Sequence, residues 1–271
     1  MSIKKRFVGR ETTTVGVGGE FDCYLPESIV EASFILRENP ELWVMGGGSN
    51  LLIPDGGAQD AICLRMLNDR KTEGCILYAE SGCLLSTLAK LAMDMGLCGL
   101  EFASAIPGTI GGAIHGNAGA FGQDICSLLK RVTLFDGKEI TELSRQNLNY
   151  GYRKGIKGVV LSAELELSFG DKTAIEIKSL EYLKYRKNTQ PTGRSFGSVF
   201  KRYNGISPAV YIEKTGLKGV CRGGAKISEK HCNFILNEKG ATSADVLYLV
   251  NLIQDKVDVP LEREFIIPPS K

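Results

Sequence analysis

The chain has 271 residues, which suits one large domain or two ordinary ones, and its net charge at pH 7 is only +2. This charge excludes the strongly basic composition of nucleic-acid-binding proteins, and a hydrophobic content of 43% with 24% charged residues excludes a wholly disordered chain. No apolar run approaches the roughly 18 residues of a membrane span, and the charged residues 1–14 predict no signal peptide. We expect a cytoplasmic protein with no nucleic-acid or membrane partner.

The first 170 residues combine predicted helices with short strands. Apolar spacing predicts one helix over 28–38, with Ser28 as its N-cap, and another over 84–95 that ends at Gly96. Strands are predicted over residues 42–45, 61–65, 75–79, 131–135 and 159–167. In the last of these strands apolar residues alternate with glutamates, which predicts one solvated face.

A seam is predicted near Gly170, and a smaller α+β region follows it. Helices are predicted over residues 173–187 and 243–257, and a further helix begins at Pro208 with Ser207 as its N-cap. We therefore divide the chain into domains 1–170 and 171–271.

Cysteine and histidine usage limits the metal chemistry. Eight cysteines are spread along the chain without a C-x-x-C pair, so we interpret them as small buried residues of a reducing compartment. The two histidines, His115 and His231, are too few for a multi-histidine metal site. We predict no metal.

Two glycine clusters are the most unusual feature of the sequence. They occupy residues 46–51, continuing to 55–57, and residues 107–122. Glycine accepts positive φ and lets backbone N–H groups approach an anion closely. Neither cluster contains a P-loop or a G-x-G-x-x-G fingerprint, so a Rossmann site is not predicted. The composition leaves both phosphate binding and tight turns open.

One motif points to a hydrolase. Residues 193–197 match the G-x-S-x-G nucleophile elbow, and Glu213 and His231 follow in the order of a catalytic triad. An elbow requires a buried strand before it, and residues 187–192 are polar. We therefore reject the hydrolase hypothesis.

Taken together, the motifs resemble those of UDP-N-acetylenolpyruvoylglucosamine reductases, the MurB family. The resemblance covers nearly the whole chain and rests on the joint order and spacing of motifs that are weak alone. The motifs lie at residues 14–19 (TVGVGG), 45–52 (MGGGSNLL), 99–102 (GLEF), 106–112 (IPGTIGG), 117–122 (NAGAFG), 152–153 (YR), 190–191 (QP), 197–201 (GSVFK), 216–219 (GLKG) and 230–234 (KHCNF).

The resemblance implies an α+β fold with an FAD-binding domain of the vanillyl-alcohol-oxidase (PCMH) type and a smaller UDP-sugar-binding domain. The chain has no room for the family's extra tyrosine-bearing loop and is similar to the compact members. The implied FAD contacts are Gly46, Gly47, Gly48, Ser49, Asn50, Leu51, Pro107, Gly108, Thr109, Gly111, Gly112 and Asn117. NADPH is the implied co-substrate, and we expect a monomer.

The implied activity is that of an NADPH-dependent UDP-N-acetylmuramate dehydrogenase of peptidoglycan precursor synthesis. FAD reduced by NADPH gives a hydride to the enolpyruvyl ether of the UDP-sugar. Arg153 matches the family's arginine that stabilises the resulting enolate, and Ser198 matches its proton donor. Glu264 matches the third residue and is preferred to Glu262, because an apolar run follows it directly.

Three further residues are predicted substrate contacts, and some positions differ from the residues that are usual in the family. Lys201, Arg202 and Arg186 are predicted to contact the substrate, although many members have asparagine at position 202. Gly155 stands where the family usually has serine. Two other hypotheses stay open: a related flavin oxidase with another substrate, and a flavin- or nucleotide-binding protein without catalysis.

Overall fold

The computed structural model describes residues 3–271. Its strands are β1 (Ile3–Val8), β2 (Glu20–Leu25), β3 (Trp43–Met45), β4 (Ala61–Cys63), β5 (Arg70–Glu73), β6 (Ile76–Glu80), β7 (Leu97–Cys98), β8 (Gly119–Ala120), β9 (Gln123–Asp124), β10 (Leu129–Phe135), β11 (Ile140–Ser144), β12 (Val159–Glu166), β13 (Ser168–Phe169), β14 (Cys221–Arg222), β15 (Ala225–Ile227) and β16 (Ile235–Asn237). Its helices are α1 (Gly9–Thr12), α2 (Ile29–Glu38), α3 (Leu85–Asp94), α4 (Ile110–His115), α5 (Lys172–Thr189), α6 (Pro208–Glu213) and α7 (Ser243–Lys256). Across residues 3–271 no helix is both long and apolar enough to cross a membrane.

The chain forms two compact units that interleave along the sequence. Of the described residues, the first unit contains 3–5, 24–47 and 61–186, and the second contains 6–23, 48–60 and 187–271. The two early segments belong to the second unit because Val15, Val17 and Leu52 lie in its apolar core. The domain boundary predicted at residue 170 therefore does not coincide with the boundary between these units, and residues 1 and 2 of the predicted first domain lie outside the described part.

A five-stranded antiparallel sheet, in the order β11-β10-β12-β6-β5, organises the first unit. One apolar cluster joins this sheet to α3 and α4, and a second joins it to α2. In β12 the predicted solvated face is present only at the end of the strand, where Ala163 and Leu165 are buried and Glu166 is exposed. Residues 160–163 are all buried, because the apolar clusters cover both faces of the sheet there. A second sheet has the order β1-β2-β4-β3, in which β3 and β4 run parallel.

Local signals fix the helix ends of the first unit. Ser28 caps α2 as predicted, its hydroxyl accepting a hydrogen bond from the backbone N–H of Glu31 at 3.1 Å. The α3 helix is followed by Gly96, whose φ of +67° suits a helix stop. The predicted strand 61–65 ends early at Cys63, because Leu64–Met66 turn into a 3-10 helix.

In the second unit the three-stranded antiparallel sheet β14-β15-β16 packs with α7. The α7 helix begins at Ser243 as predicted, and a capping box between Thr242 and Asp245 stabilises this end. Pro208 begins α6 as predicted, but the Ser207 side chain makes no capping hydrogen bond. The element directly before residues 193–197 is the helix α5 and not a strand, which excludes a nucleophile elbow.

The cysteine prediction is confirmed for five of the eight positions. Cys23, Cys63, Cys83, Cys126 and Cys232 are buried, and none of the eight cysteines, all of which lie in the described residues, forms a disulfide. Burial raises the pKa of Cys126 to about 12, so this thiol is not reactive at neutral pH. The prediction is wrong for Cys221, which lies on the two-residue edge strand β14 and is exposed.

Candidate active site

The two glycine clusters touch each other in the first unit. A Cβ atom added to Gly46 would lie 2.6 Å from Oγ1 of Thr109, and one added to Gly47 would lie 2.8 Å from Cα of Gly108. Any larger residue would force the two loops apart. The sequence predicted both loops as cofactor contacts, and the structure brings these parts of them together.

The surroundings of this contact fit a dinucleotide cofactor. A Cβ added to Gly111 would lie 2.7 Å from Cβ of Ser81, and the Gly111 N–H donates to the Ser81 carbonyl at 2.9 Å. The Ser81 hydroxyl is buried without a hydrogen-bond partner. A close glycine-only approach suits a pyrophosphate held by backbone N–H groups, and an unpaired buried hydroxyl suits a bound polar group. Sequence reasoning missed Ser81, although a small Ser-Gly pair directly after β6 was visible.

The remainder of the first cluster, residues 48–51, belongs to the second unit. The Thr14 hydroxyl donates to the carbonyls of Ser49 at 3.3 Å and Ser195 at 2.7 Å. The Asn50 side chain donates to the Glu264 carbonyl at 3.0 Å, and the Ile266 N–H donates to the Asn50 carbonyl at 3.0 Å. The predicted cofactor loop is therefore paired with the segment that carries Glu264.

Two of the three predicted catalytic residues are brought together in the second unit. The Glu264 N–H donates to the Val199 carbonyl at 2.8 Å, and the Lys201 N–H donates to the Glu262 carbonyl at 2.9 Å. These bonds form an antiparallel bridge that places Ser198 and Glu264 on neighbouring segments. Both residues are half-buried.

Asn233 fixes the Ser198 segment from its other side. Its carbonyl accepts from the Val199 N–H at 2.9 Å, and its side chain both accepts from and donates to the Phe200 backbone at 3.0 Å. Asn233 is itself buried. The KHCNF motif at residues 230–234 thus supports the GSVFK motif.

His231, in the same KHCNF motif, is a half-buried imidazole. Its ring lies edge-on to Phe234, with centroids 5.0 Å apart, and its Nδ1 atom is buried without a partner. Desolvation lowers the pKa of His231 below its ordinary value, and nearby Lys218 lowers it further, while Glu213 acts in the opposite direction. The neutral imidazole is therefore favoured in the fold.

The rival carboxylate, Glu262, has a different environment from Glu264. Its exposed side chain accepts a hydrogen bond from Nζ of Lys201 at 2.5 Å. Lys201 was predicted to contact the substrate, and in this structure its ammonium faces Glu262. The surface pair accounts for Glu262 without a catalytic role, which favours Glu264.

The third predicted catalytic residue, Arg153, lies in the first unit on a tight turn. Reciprocal hydrogen bonds of 2.7 and 3.0 Å between the backbones of Gly151 and Lys154 close this turn. Arg153 has a φ of +52°, a conformation that costs a non-glycine residue on the order of 1–3 kcal/mol. Its guanidinium donates to the carbonyls of Asn117 at 3.3 Å and Gly119 at 3.1 Å.

The two remaining predicted substrate contacts are arginines in different settings. Arg186 is half-buried, and its Nη1 donates to the Ala105 carbonyl at 2.6 Å. Burial lowers the pKa of the Arg186 guanidinium below its ordinary value. Arg202 is exposed and donates to the Gly205 carbonyl at 3.1 Å, so part of its hydrogen-bonding capacity is used locally.

Comparison with known proteins gives two domain matches. The profile described as "FAD binding domain" matches residues 25–141. The profile described as "UDP-N-acetylenolpyruvoylglucosamine reductase, C-terminal domain" matches residues 189–266.

Whole-chain similarity covers both matched regions. The UDP-N-acetylenolpyruvoylglucosamine reductase of Clostridium tetani is 39% identical over 98% of this chain and 92% of its own length. That of Carboxydothermus hydrogenoformans is 42% identical over 90% of this chain and 85% of its own length. The crystal structure of the Thermus caldophilus enzyme superposes with a TM-score of 0.89 at 33% identity, covering 99% of this chain and 100% of that one.

Proposed function

The chain belongs to the UDP-N-acetylenolpyruvoylglucosamine reductase family, and we propose that Arg153, Ser198 and Glu264 act together on the substrate of its reaction. The predicted fold class is confirmed, since an FAD-binding domain is followed by the family's C-terminal domain. The protein is a flavin-dependent reductase that converts UDP-N-acetylglucosamine enolpyruvate to UDP-N-acetylmuramate in peptidoglycan precursor synthesis. Bound FAD would supply the hydride chemistry, in which reducing equivalents from NADPH reach the methylene carbon of the enolpyruvyl group.

Arg153 would stabilise the charge that this delivery creates. Addition at the methylene carbon leaves an electron pair on the adjacent carbon, delocalised into the carboxylate. A fixed cation that binds the enolate more strongly than the starting ether lowers the barrier. The carbonyls of Asn117 and Gly119 hold the guanidinium in place before the reaction.

Ser198 would then donate a proton to the enolate carbon. A serine hydroxyl is a weak acid, but the enolate carbon is a strong base, so a positioned hydroxyl can serve as the general acid. Backbone hydrogen bonds from both the Asn233 side and the Glu264 side fix the Ser198 segment. Glu264 starts from the neighbouring segment and would orient the hydroxyl or the intermediate.

We assign FAD binding to residues 46–51 and 107–112 of the glycine clusters and UDP-sugar binding to three cations. The contact of Gly46 and Gly47 with Gly108 and Thr109 supports the first assignment. Lys201, Arg202 and Arg186 would supply positive charge for the diphosphate. We also propose a cytoplasmic location, because both nucleotide substrates are water-soluble, and a monomeric state.

The observation that carries the proposed roles is the backbone pairing of the Ser198 and Glu264 segments. The test is the absorbance of NADPH with and without the enolpyruvyl UDP-sugar, on purified protein first scanned for bound flavin. We expect yellow protein whose NADPH oxidation depends on the sugar.

Each of the other hypotheses predicts a different result. NADPH oxidation that does not depend on the enolpyruvyl UDP-sugar would favour a flavin oxidase with another substrate. Bound flavin without turnover of any nucleotide would favour a binding protein. Protein without flavin, and unable to take it up, would contradict both hypotheses of a flavin enzyme.

A further inference from the structure

The turn that carries Arg153 is anchored to one short segment, residues 114–119. The Gly155 N–H, immediately after the turn, donates to the His115 carbonyl at 3.2 Å. A Cβ added to Gly155 would lie only 1.7 Å from the Ile114 carbonyl oxygen. The end of the turn therefore lies directly against the end of α4, and only glycine permits this approach.

Asn117 anchors the other end of the turn. Its side-chain Nδ2 donates to the Gly151 carbonyl at 2.8 Å. Its backbone carbonyl accepts from the Arg153 guanidinium at 3.3 Å. One residue thus holds both the turn and the side chain that the turn presents.

Asn117 is well suited to this task. It is 1% exposed, and its Oδ1 accepts from the Cys126 N–H at 3.1 Å, so the carboxamide is oriented by an internal bond. Its φ of +42° is one that asparagine tolerates better than most residues. Both its oxygen and one of its N–H groups are therefore committed within the first unit.

We propose that Asn117 is a positioning residue for Arg153, holding the turn so that the guanidinium is preorganised for the enolate. The inference rests on the proposed function, because it assumes that Arg153 acts on the substrate. It assigns Asn117 a task different from the FAD contact that the sequence resemblance implies. The backbone conformation of Arg153 is strained, so contacts from neighbouring residues must hold the turn in place. A substitution can remove such a contact.

The direct test is Asn117→Asp, which keeps the size and the acceptor for Cys126 but faces the Gly151 carbonyl with an oxygen instead of a donor. Asn117→Gly is the second variant, because glycine keeps the positive φ and removes the anchor. Asn39→Asp is the matched control, since the Asn39 amide likewise donates to a backbone carbonyl, that of Ile35, at 2.9 Å.

Two half-reactions are measured in the holoenzyme: reduction of the flavin by NADPH and its reoxidation by the enolpyruvyl UDP-sugar. We expect both Asn117 variants to bind FAD and to be reduced by NADPH at the wild-type rate. Reoxidation of the dithionite-reduced holoenzyme by the enolpyruvyl UDP-sugar should slow roughly 10- to 100-fold, as small misplacements of a catalytic group do. Hydrogen exchange of a peptide covering residues 150–156 should accelerate in both variants. The Asn39→Asp control should change none of these.

A double-mutant cycle separates positioning from a general structural role. In an Arg153→Ala background, Asn117→Asp should cause little further loss, because the residue acts through Arg153. A full further loss, or an equal slowing of both half-reactions, would overturn the inference and favour a cofactor contact. Unchanged reoxidation in both Asn117 variants would also overturn it. If Arg153→Ala itself leaves reoxidation intact, the proposed role of Arg153 fails first, which distinguishes the two failures.

Discussion

Two regions of the molecule present predicted catalytic residues by different physical means. In the second unit, backbone hydrogen bonds between residues 199–201 and 262–264 pair the segment that carries Ser198 with the segment that carries Glu264. In the first unit, a turn with Arg153 at positive φ depends on the Asn117 side chain and on the missing Cβ of Gly155. The pairing itself does not require particular side chains within the two segments, although Asn233 also holds Phe200 through its side chain. Substitutions within the paired segments that spare the reacting groups should therefore cause less damage than substitutions at Asn117 or Gly155.

The largest effect is expected for Ser198→Ala, which removes a hydroxyl without disturbing the backbone pairing. Reoxidation of the reduced enzyme by the enolpyruvyl UDP-sugar should slow roughly 100- to 10,000-fold, the usual range for general acid catalysis. Reduction by NADPH should be unchanged in stopped-flow measurements. The control is Ser207→Ala, since the Ser207 side chain makes no capping bond. Near-normal reoxidation would remove Ser198 from the mechanism.

The next largest effect is expected for a substitution that adds a methyl group beside the turn that carries Arg153. Gly155→Ala should lower the free energy of unfolding by about 1–3 kcal/mol, because the added methyl group meets a backbone carbonyl. Gly151→Ala is the matched control, because an added Cβ there meets nothing within 4 Å. Urea unfolding measures both. Equal stability of the two variants would show that the close approach at Gly155 is not required.

Smaller effects are expected for substitutions of the two glutamates Glu262 and Glu264, and these effects distinguish their roles. Glu262→Gln should change the free energy of unfolding by less than about 1 kcal/mol, because its pair with Lys201 is largely exposed on the glutamate side. Glu264→Gln should slow reoxidation by the UDP-sugar more than Glu262→Gln does. The opposite order would make Glu262 the functional residue.

The smallest expected effect is the contribution of His231 to the pH dependence of the free energy of unfolding. Its pKa is lowered from the ordinary 6.5 by desolvation, so below that pH the unfolded chain takes up a proton more readily than the fold. Its contribution to stability is complete above pH 6.5 and is lost as the pH falls through the folded pKa. His231→Gln should therefore flatten the rise of unfolding free energy with pH at pH values below 6.5. An unchanged slope would contradict this.

The periodic elements were predictable from the sequence, and the long-range contacts were not. The α2, α3 and α7 helices and the solvated face at the end of β12 follow from apolar spacing and caps, which are local. The positive φ of Arg153 carries no sequence signal, because a non-glycine residue in that conformation is held by its surroundings. Nor does spacing reveal that Gly155 meets Ile114.

The candidate site was predicted by resemblance rather than by local pattern. Ser198 and Glu264 are separated by a long stretch of chain, and no periodicity pairs such segments. The division of the first glycine cluster between two units, at Gly47 and Gly48, was likewise not readable. Early segments join the second unit through burial of a few apolar residues, which depends on the complete fold.

The most direct test of the central claim is the coupling between Arg153 and Ser198. Reoxidation by the enolpyruvyl UDP-sugar is measured for Arg153→Ala, Ser198→Ala and the double variant. Groups that act on one transition state lose rate non-additively, so the double variant should be slowed much less than the product of the single losses. A loss equal to that product would show that the two residues do not serve the same reacting centre.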